Sequence, residues 1–194
     1  MSDKSTYVDK LKSSSRELKE LIEEVIIPET WFYRDQEPFK AIRRYLVNQW
    51  VPKHKYKLFK VLSAPCSSGE EPYSLAMTLL NSELAPDKFK VIGVDISRRS
   101  IDKARKGIYS EHSFRGTDLV FQTRFFKKNN SSFILDGKIR EKVQFYCGNI
   151  LDNSFMDGLG LFDVIFFRNV LIYFDTLARH KAIATLYKLL TDDG

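Results

Sequence analysis

Val61-Leu-Ser-Ala-Pro-Cys-Ser-Ser-Gly-Glu-Glu-Pro-Tyr-Ser-Leu-Ala76 reads as an apolar strand that enters a turn of small residues and then a helix. That junction decides the fold. Small side chains at Ser63, Ala64, Cys66, Ser67, Ser68 and Gly69 let a ligand approach the backbone closely, and a helix starting near Pro72 presents unpaired N–H groups to it. Two carboxylates at the helix start, Glu70 and Glu71, would repel a phosphate and suit a hydroxylated or cationic ligand. Taken alone, a strand-turn-helix junction rich in Ser and Gly can also serve only to turn the chain. The rest of the sequence chooses between the two readings.

Upstream, apolar residues at Tyr7, Leu11, Leu18, Leu21, Ile22 and Val25 recur at helical spacing among Lys and Glu, which predicts a helical leader over Ser5 to Ile27. Pro28 interrupts it. Thr30 is placed to cap a second helical pattern through Phe39, Ile42, Tyr45, Leu46 and Trp50, which stops near Pro52. Downstream the rhythm changes. Strands are expected at Leu58 to Leu62, Lys90 to Val94, Val143 to Cys147 and Phe162 to Phe167, with helices at Glu71 to Leu80, Ser100 to Lys106 and Thr176 to Leu190. Apolar strands alternating with amphipathic helices give a parallel sheet covered on both faces, the doubly wound α/β class. Asp136-Gly137, between strand formers, signals a hairpin and hence a small β insertion at about 129–141. The division expected is a helical N-terminal segment, 1–52, and a domain, 53–194, whose sheet would continue past the final Gly turn, so that its C-terminal strands are truncated.

With 194 residues, 43% hydrophobic and 29% charged, the chain has room for one domain with a sizeable core. It contains no apolar run long enough to span a bilayer and no signal peptide, which predicts a cytoplasmic location. Cys66 and Cys147 have no CxxC or His partner, so no metal site is expected. The net charge of +6 is spread over Lys53 to Lys57, Arg98-Arg99, Lys103 to Lys106 and Lys127-Lys128, mostly as solvated faces. An acidic protein partner suits it better than DNA.

In an open parallel sheet ligands sit beyond the carboxyl ends of the strands, so the residues that follow each apolar run are diagnostic. Here all are polar. The first strand ends in the Ser-rich loop. The second ends in Asp95, about 26 residues past Gly69, where a carboxylate can accept two hydrogen bonds from ribose hydroxyls. A third ends in Gly148-Asn149, whose amide could read an adenine edge, and the fourth in Arg168-Asn169. The bland alternatives are a helix cap for Asp95 and a turn for Asn149. Together they point to a nucleoside-bearing ligand. Absence of GxxxxGK[ST] disfavours ATP or GTP, and absence of GxGxxG favours S-adenosylmethionine over a dinucleotide.

Pro28-Glu-Thr-Trp-Phe-Tyr-Arg34, Ser63-Ala-Pro-Cys-Ser-Ser-Gly-Glu-Glu-Pro-Tyr-Ser74, Val94-Asp-Ile96, Ala104-Arg-Lys-Gly-Ile-Tyr109 and Phe167-Arg-Asn-Val-Leu-Ile-Tyr-Phe-Asp175 closely resemble the chemotaxis-receptor glutamate methyltransferases of the CheR type. The resemblance runs in order from Pro28 to the end. It implies a Rossmann-like, class I S-adenosylmethionine-dependent methyltransferase that methylates glutamates on the cytoplasmic helices of methyl-accepting chemoreceptors and releases S-adenosylhomocysteine. It further implies that Thr30 and Arg34 lie against the methionine end of the cofactor, Ala64 and Glu71 line the first loop, and Asp95 holds the ribose. Asn149 and Ile150 would flank the adenine, Arg168 and Asn169 close the site, and Tyr173 face the reacting centre. Ile27-Pro-Glu-Thr-Trp-Phe is most similar to the branch serving surface-sensing or biofilm receptors.

A glutamate carboxylate, with a reference pKa of about 4.3, is ionised at neutral pH and can attack a sulfonium methyl without a general base. His54, His112 and His180 lie outside every motif, in keeping with that. Arg34 is then expected to orient rather than activate, its alternative being a surface ion pair with Asp35 or Glu37. Tyr173 can donate one hydrogen bond to the incoming carboxylate, its alternative being a core aromatic beside Phe174. Two competing functions stand beside this one. One is a non-catalytic receptor-binding module that retains the fold. The other is an RNA methyltransferase, which the strand end Arg168-Asn-Val-Leu171 disfavours because it lacks an Asn-Pro-Pro-Tyr or Asp-Pro-Pro-Tyr motif.

Overall fold

The computed structural model describes residues 4–54, 56–82, 84–116 and 120–194. The leader forms two helices, α1 (Lys4–Ser13) and α2 (Ser15–Val25), separated at Ser14, whose hydroxyl accepts from the Glu17 N–H as an N-cap. Helix α3 (Glu37–Tyr45) runs through a π turn, Leu46–Trp50, into a short α4 (Val51–Lys53). Its apolar face, Phe39, Ile42, Leu46 and Trp50, is buried. Thr30 caps no helix: α3 starts at Glu37 because Pro38, with its fixed φ and missing N–H, belongs in a first turn.

Next come β1 (Phe59–Ser63), α5 (Glu70–Leu80), β2 (Phe89–Asp95), α6 (Arg98–Lys106), β3 (Ile108–Tyr109), α7 (Val120–Phe125), β4 (Phe126–Asn129) and β5 (Ser132–Leu135). The chain continues with α8 (Gly137–Arg140), β6 (Val143–Cys147), α9 (Asn153–Asp157), β7 (Val164–Phe166) and α10 (Thr176–Lys188). Four strands pair in the order β6-β2-β1-β7, all parallel. Successive residues go to opposite faces, as strand geometry requires. Val61 and Val91 enter one core with α3 and α5, whereas Leu62 and Ile92 enter another with Met156 of α9 and Leu186 of α10. Both faces are covered, which is the doubly wound arrangement expected.

The β insertion is a three-stranded antiparallel sheet, β3-β5-β4, and its hairpin turn lies elsewhere than expected. Asn129 pairs with Ser132 around Asn130, whose φ of 52° an Asn tolerates. Asp136 instead caps α8, accepting from the Lys138 N–H at 2.7 Å. An Asp-Gly pair serves equally as a hairpin turn and as an N-cap followed by a first helical residue, and here the second use wins.

Two anchors orient the site. Phe32, fully buried, sits among Tyr109, Phe114 and Phe126 with ring centroids 4.8–5.1 Å away, so that the segment from Glu29 to Asp35 is strapped across the carboxyl end of the sheet. At the amino end, buried Asp163 accepts from Trp50 Nε1 (3.0 Å), Lys57 Nζ (2.8 Å) and the Lys60 N–H (2.8 Å), tying α3 and α4 to the strands. His54, stacked on Trp50, belongs to that end.

Candidate functional site

Strand order reverses between β1 and β7, so the loops that follow them diverge and leave a crevice at their carboxyl ends. A cavity of about 520 Å³ occupies it. Its walls come from the loop after β1 (Pro65, Cys66, Ser67), the ends of β2 (Asp95, Ile96) and β7 (Arg168, Asn169, Val170), Glu71 of α5, and the strap at Thr30, Trp31 and Arg34. The leader supplies Ile22, Val25, Ile26 and Ile27. Seven of the expected site residues thus converge: Thr30, Arg34, Glu71, Asp95, Arg168, Asn169 and Tyr173.

Three others stand apart from it. Ala64 is buried beneath the loop, its N–H donating to the Phe166 carbonyl at 2.9 Å. Asn149 is exposed, and its Oδ1 accepts from the Leu151 N–H at 2.9 Å, the turn weighed as its alternative. Ile150 packs into the second core with Leu62 and Ile92.

Backbone strain concentrates at the crevice. Among the described residues, five that are not glycine have positive φ, and four of them, Tyr33 (54°), Asp35 (54°), Ser67 (48°) and Asn169 (60°), belong to the strap or the two loops. Gly69 (φ 92°) closes the first loop, and a Cβ there would stand 2.8 Å from the Ala104 Cβ, so only glycine fits.

Asp95 is buried, and its two oxygens accept from different backbone groups, Oδ2 from the Ser67 N–H (2.7 Å) and Oδ1 from the Ser97 N–H (2.9 Å). A carboxylate has about four acceptor sites, so capacity remains for a ligand. Glu71 accepts from Ser63 Oγ (2.8 Å) and from Arg168 Nη1 (2.9 Å). Arg168 Nη2 donates to Asp35 Oδ2 (2.8 Å) and to the Arg34 carbonyl (3.1 Å), so one guanidinium ties β7, α5 and the strap together. Arg34 makes neither of the surface ion pairs considered for it. Its guanidinium stacks on the Trp31 ring at 4.3 Å and donates to the Glu29 carbonyl at 3.0 Å. Tyr173 is 71% exposed at the cavity mouth, not a core aromatic. Burial pushes the Cys66 thiol far up, which makes it an inert wall.

A residue that the motif reading left without a role is Ser67. Its buried Oγ has no hydrogen-bond partner while its loop lines the cavity. An orphaned hydroxyl of this kind can be satisfied by water or by a polar ligand. Together with the spare acceptor capacity of Asp95, the Glu71 carboxylate and two guanidiniums, the donor set fits a ligand that carries hydroxyls, an ammonium and a carboxylate. S-adenosylmethionine has all three. Among the described residues no cluster suited to a metal ion occurs.

Burial raises the carboxyl pKa values of Glu70, Glu71 and Asp95, more than hydrogen bonds from Ser68 and Ser113, from Ser63 and Arg168, and from Ser97 and Ser67 respectively offset. Glu70 is the clearest case: it is 1% exposed, and its carboxylate accepts from the Ser68 and Ser113 hydroxyls at 2.8 and 2.9 Å. With a native pKa above the unfolded value of about 4.3, the native state binds more protons in that window. Stability therefore falls as pH rises from there to the raised native value and is flat above it. Serine hydroxyls can accept as well as donate, so Glu70→Gln is expected to be neutral or stabilising at neutral pH, the gain vanishing towards about pH 4. Denaturant titrations of both proteins across that range test this; a variant clearly less stable at neutral pH would mean that the charge itself is required.

Residues 28–194 match the family described as "CheR methyltransferase, SAM binding domain". The chain is 39% identical over 192 residues to the "Probable biofilm formation methyltransferase WspC" of Pseudomonas aeruginosa, covering 99% of this chain and 46% of that protein. Identity is 32% over 192 residues to "Chemotaxis protein methyltransferase 2" of Vibrio cholerae (97% and 66% covered). It is 34% over 191 residues to the "Chemotaxis protein methyltransferase" of Campylobacter jejuni (98% and 70%). The chain spans about half the length of the WspC relative it matches.

Proposed function

The chain belongs to the CheR methyltransferase family, and on that premise we propose that it is the catalytic part of a protein-glutamate O-methyltransferase. Its methyl donor is S-adenosylmethionine, and its substrate is the cytoplasmic domain of a bacterial chemoreceptor in a chemotaxis or surface-sensing pathway. The observation that carries the reading is the cavity at the switch point, where Asp95, Glu71, Arg168 and the orphaned Ser67 hydroxyl meet. Among the described residues no helix is long and apolar enough to cross a membrane, and the proposed setting is the cytoplasm.

When bound, S-adenosylmethionine supplies a methyl group already activated on a sulfonium. The chain's residues hold and orient. In this reading Asp95 would hold the ribose, Glu71 the ammonium, and Thr30 and Arg34 the methionine end. The incoming glutamate is ionised at neutral pH, so no general base is required, and the cavity wall holds no histidine. Attack of an anion on a cation spreads charge, and a free cation on the carboxylate would stabilise the ground state more than the transition state. Both guanidiniums are already engaged, Arg168 by Glu71 and Asp35, and Arg34 by Trp31 and the Glu29 carbonyl. Tyr173, exposed at the mouth, can donate one hydrogen bond to the substrate carboxylate without adding charge.

The test is transfer of labelled methyl from S-adenosylmethionine to a chemoreceptor cytoplasmic domain. The expected product is base-labile ester, and the rate should rise only as the substrate carboxylate ionises and then stay flat through neutrality. Receptor binding with no transfer would favour an adaptor role. Base-stable label on nucleic acid would favour the RNA reading, and a rate climbing with an apparent pKa of about 7 would require a base not yet assigned.

A further inference from the structure

Glu23, near the end of α2, reaches across 74 residues of sequence to the start of α6. Its Oε2 accepts from Ser97 Oγ at 2.7 Å, and its Oε1 accepts from the N–H groups of Arg98 (2.7 Å) and Arg99 (3.2 Å). Those amides are orphan donors of a helix first turn. Yet α6 already has a cap of its own, because Ser97 Oγ accepts from the Ser100 N–H at 3.0 Å. A second cap delivered from another element therefore fixes the position of α2 more than it completes α6.

That position matters to the cavity. Helix α2 has no fully buried residue, yet Ile22 and Val25, with Ile26 beyond its end, form part of the cavity wall. The neighbouring pair of Glu24 with Arg99, at 3.2 Å, joins side chains about 70% exposed and adds little hold. Ser97 also links the contact inward, since its N–H donates to Asp95 Oδ1 at 2.9 Å. A continuous path of hydrogen bonds thus joins Glu23, Ser97 and Asp95.

We infer that Glu23 is a positioning residue, a latch that holds the leader helix closed over the cofactor cavity and braces Asp95 through Ser97, so that cofactor release requires the latch to open. The inference rests on reading the cavity as the cofactor site. The leader is then a lid, and a closed lid slows escape of the bound molecule.

The experiment measures S-adenosylhomocysteine dissociation by stopped-flow displacement, together with amide exchange at Arg98 and Arg99, in wild type, Glu23→Ala, Glu23→Asp and Glu23→Gln. Glu23→Ala should dissociate at least about tenfold faster, with faster exchange at both amides. Glu23→Asp keeps the charge but is one methylene short, and should behave like Glu23→Ala. Glu23→Gln keeps the length and one acceptor, and should fall between. If Glu23→Ala does not fold, the order of the Asp and Gln variants decides. Faster exchange at Arg98 and Arg99 with unchanged dissociation would overturn the latch and leave the cofactor reading intact. A wild-type chain that binds no S-adenosylhomocysteine would remove the cofactor reading and the latch together.

Discussion

Asp95→Asn is expected to lose cofactor affinity almost as completely as Asp95→Ala, by about 3–4 kcal/mol or roughly 150- to 1,000-fold. A conservative amide would ordinarily keep the hydrogen bonds of a carboxylate that only accepts from ribose hydroxyls. Here it cannot. Both oxygens already accept from backbone N–H groups, Ser67 on one side and Ser97 on the other. An amide has one acceptor oxygen, so its NH2 must face one of those donors, and either the first loop or the start of α6 loses its tie. A buried N–H left without a partner costs about 1–3 kcal/mol, so the variant should also melt earlier. Calorimetry with S-adenosylhomocysteine and a thermal melt separate the two roles. Unchanged affinity with a lower melting temperature would leave Asp95 as a brace only, and unchanged affinity with unchanged stability would remove it from both.

That double duty was only half legible in the sequence. The acidic residue at the end of an apolar strand announces itself, because Val91, Ile92 and Val94 are core positions and a carboxylate directly after them, itself buried, needs polar partners. The same logic points to Glu71, Arg168 and Asn169, each at the carboxyl end of a strand or the start of the next helix, and all three line the cavity. Asn149 and Ile150 lie outside the cavity wall, the first in a turn after β6 and the second at a core position. The strap was legible as a motif but not as a shape. Thr30 had the chemistry of an N-cap, but Pro38 sets the helix start, and the positive φ at Tyr33 has no local cause that a Tyr could signal. Glu23 and the unpaired hydroxyl of Ser67 were out of reach for a different reason. Their roles depend on what lies opposite them in space, an α6 start 74 residues away and a cavity that exists only once β1, β2 and β7 are aligned.

Replacing Arg168 should have the largest combined effect on stability and binding of any single substitution at the site. Its guanidinium is the counter-ion of Glu71, with side chains only 17% and 13% exposed. Removing one partner of such a pair leaves the other charge buried and uncompensated, which costs about 3–5 kcal/mol in fully buried cases. The bond to Asp35, whose side chain is 62% exposed, adds little to that. About 2–4 kcal/mol is therefore expected for Arg168→Met, with cofactor binding lost because the strap at Arg34 and Asp35 is no longer tied to α5. Arg168→Lys should rescue little, since a point charge on a flexible stem cannot hold Glu71 of α5 together with Asp35 and the Arg34 carbonyl of the strap at once. Two signatures distinguish an orphaned charge from lost packing. With Arg168 gone, the Glu71 pKa rises further above its unfolded value, so the native state takes up the proton and the deficit of Arg168→Met should shrink as pH falls from neutrality towards about 5. Adding Glu71→Gln should likewise recover a large part of the stability at neutral pH without restoring cofactor binding. Denaturation curves of the two single variants and the double variant at both pH values measure this. A deficit independent of pH, and additive with Glu71→Gln, would mean that Arg168 acts through packing against its neighbours rather than as the counter-ion that keeps Glu71 ionised in the cavity wall.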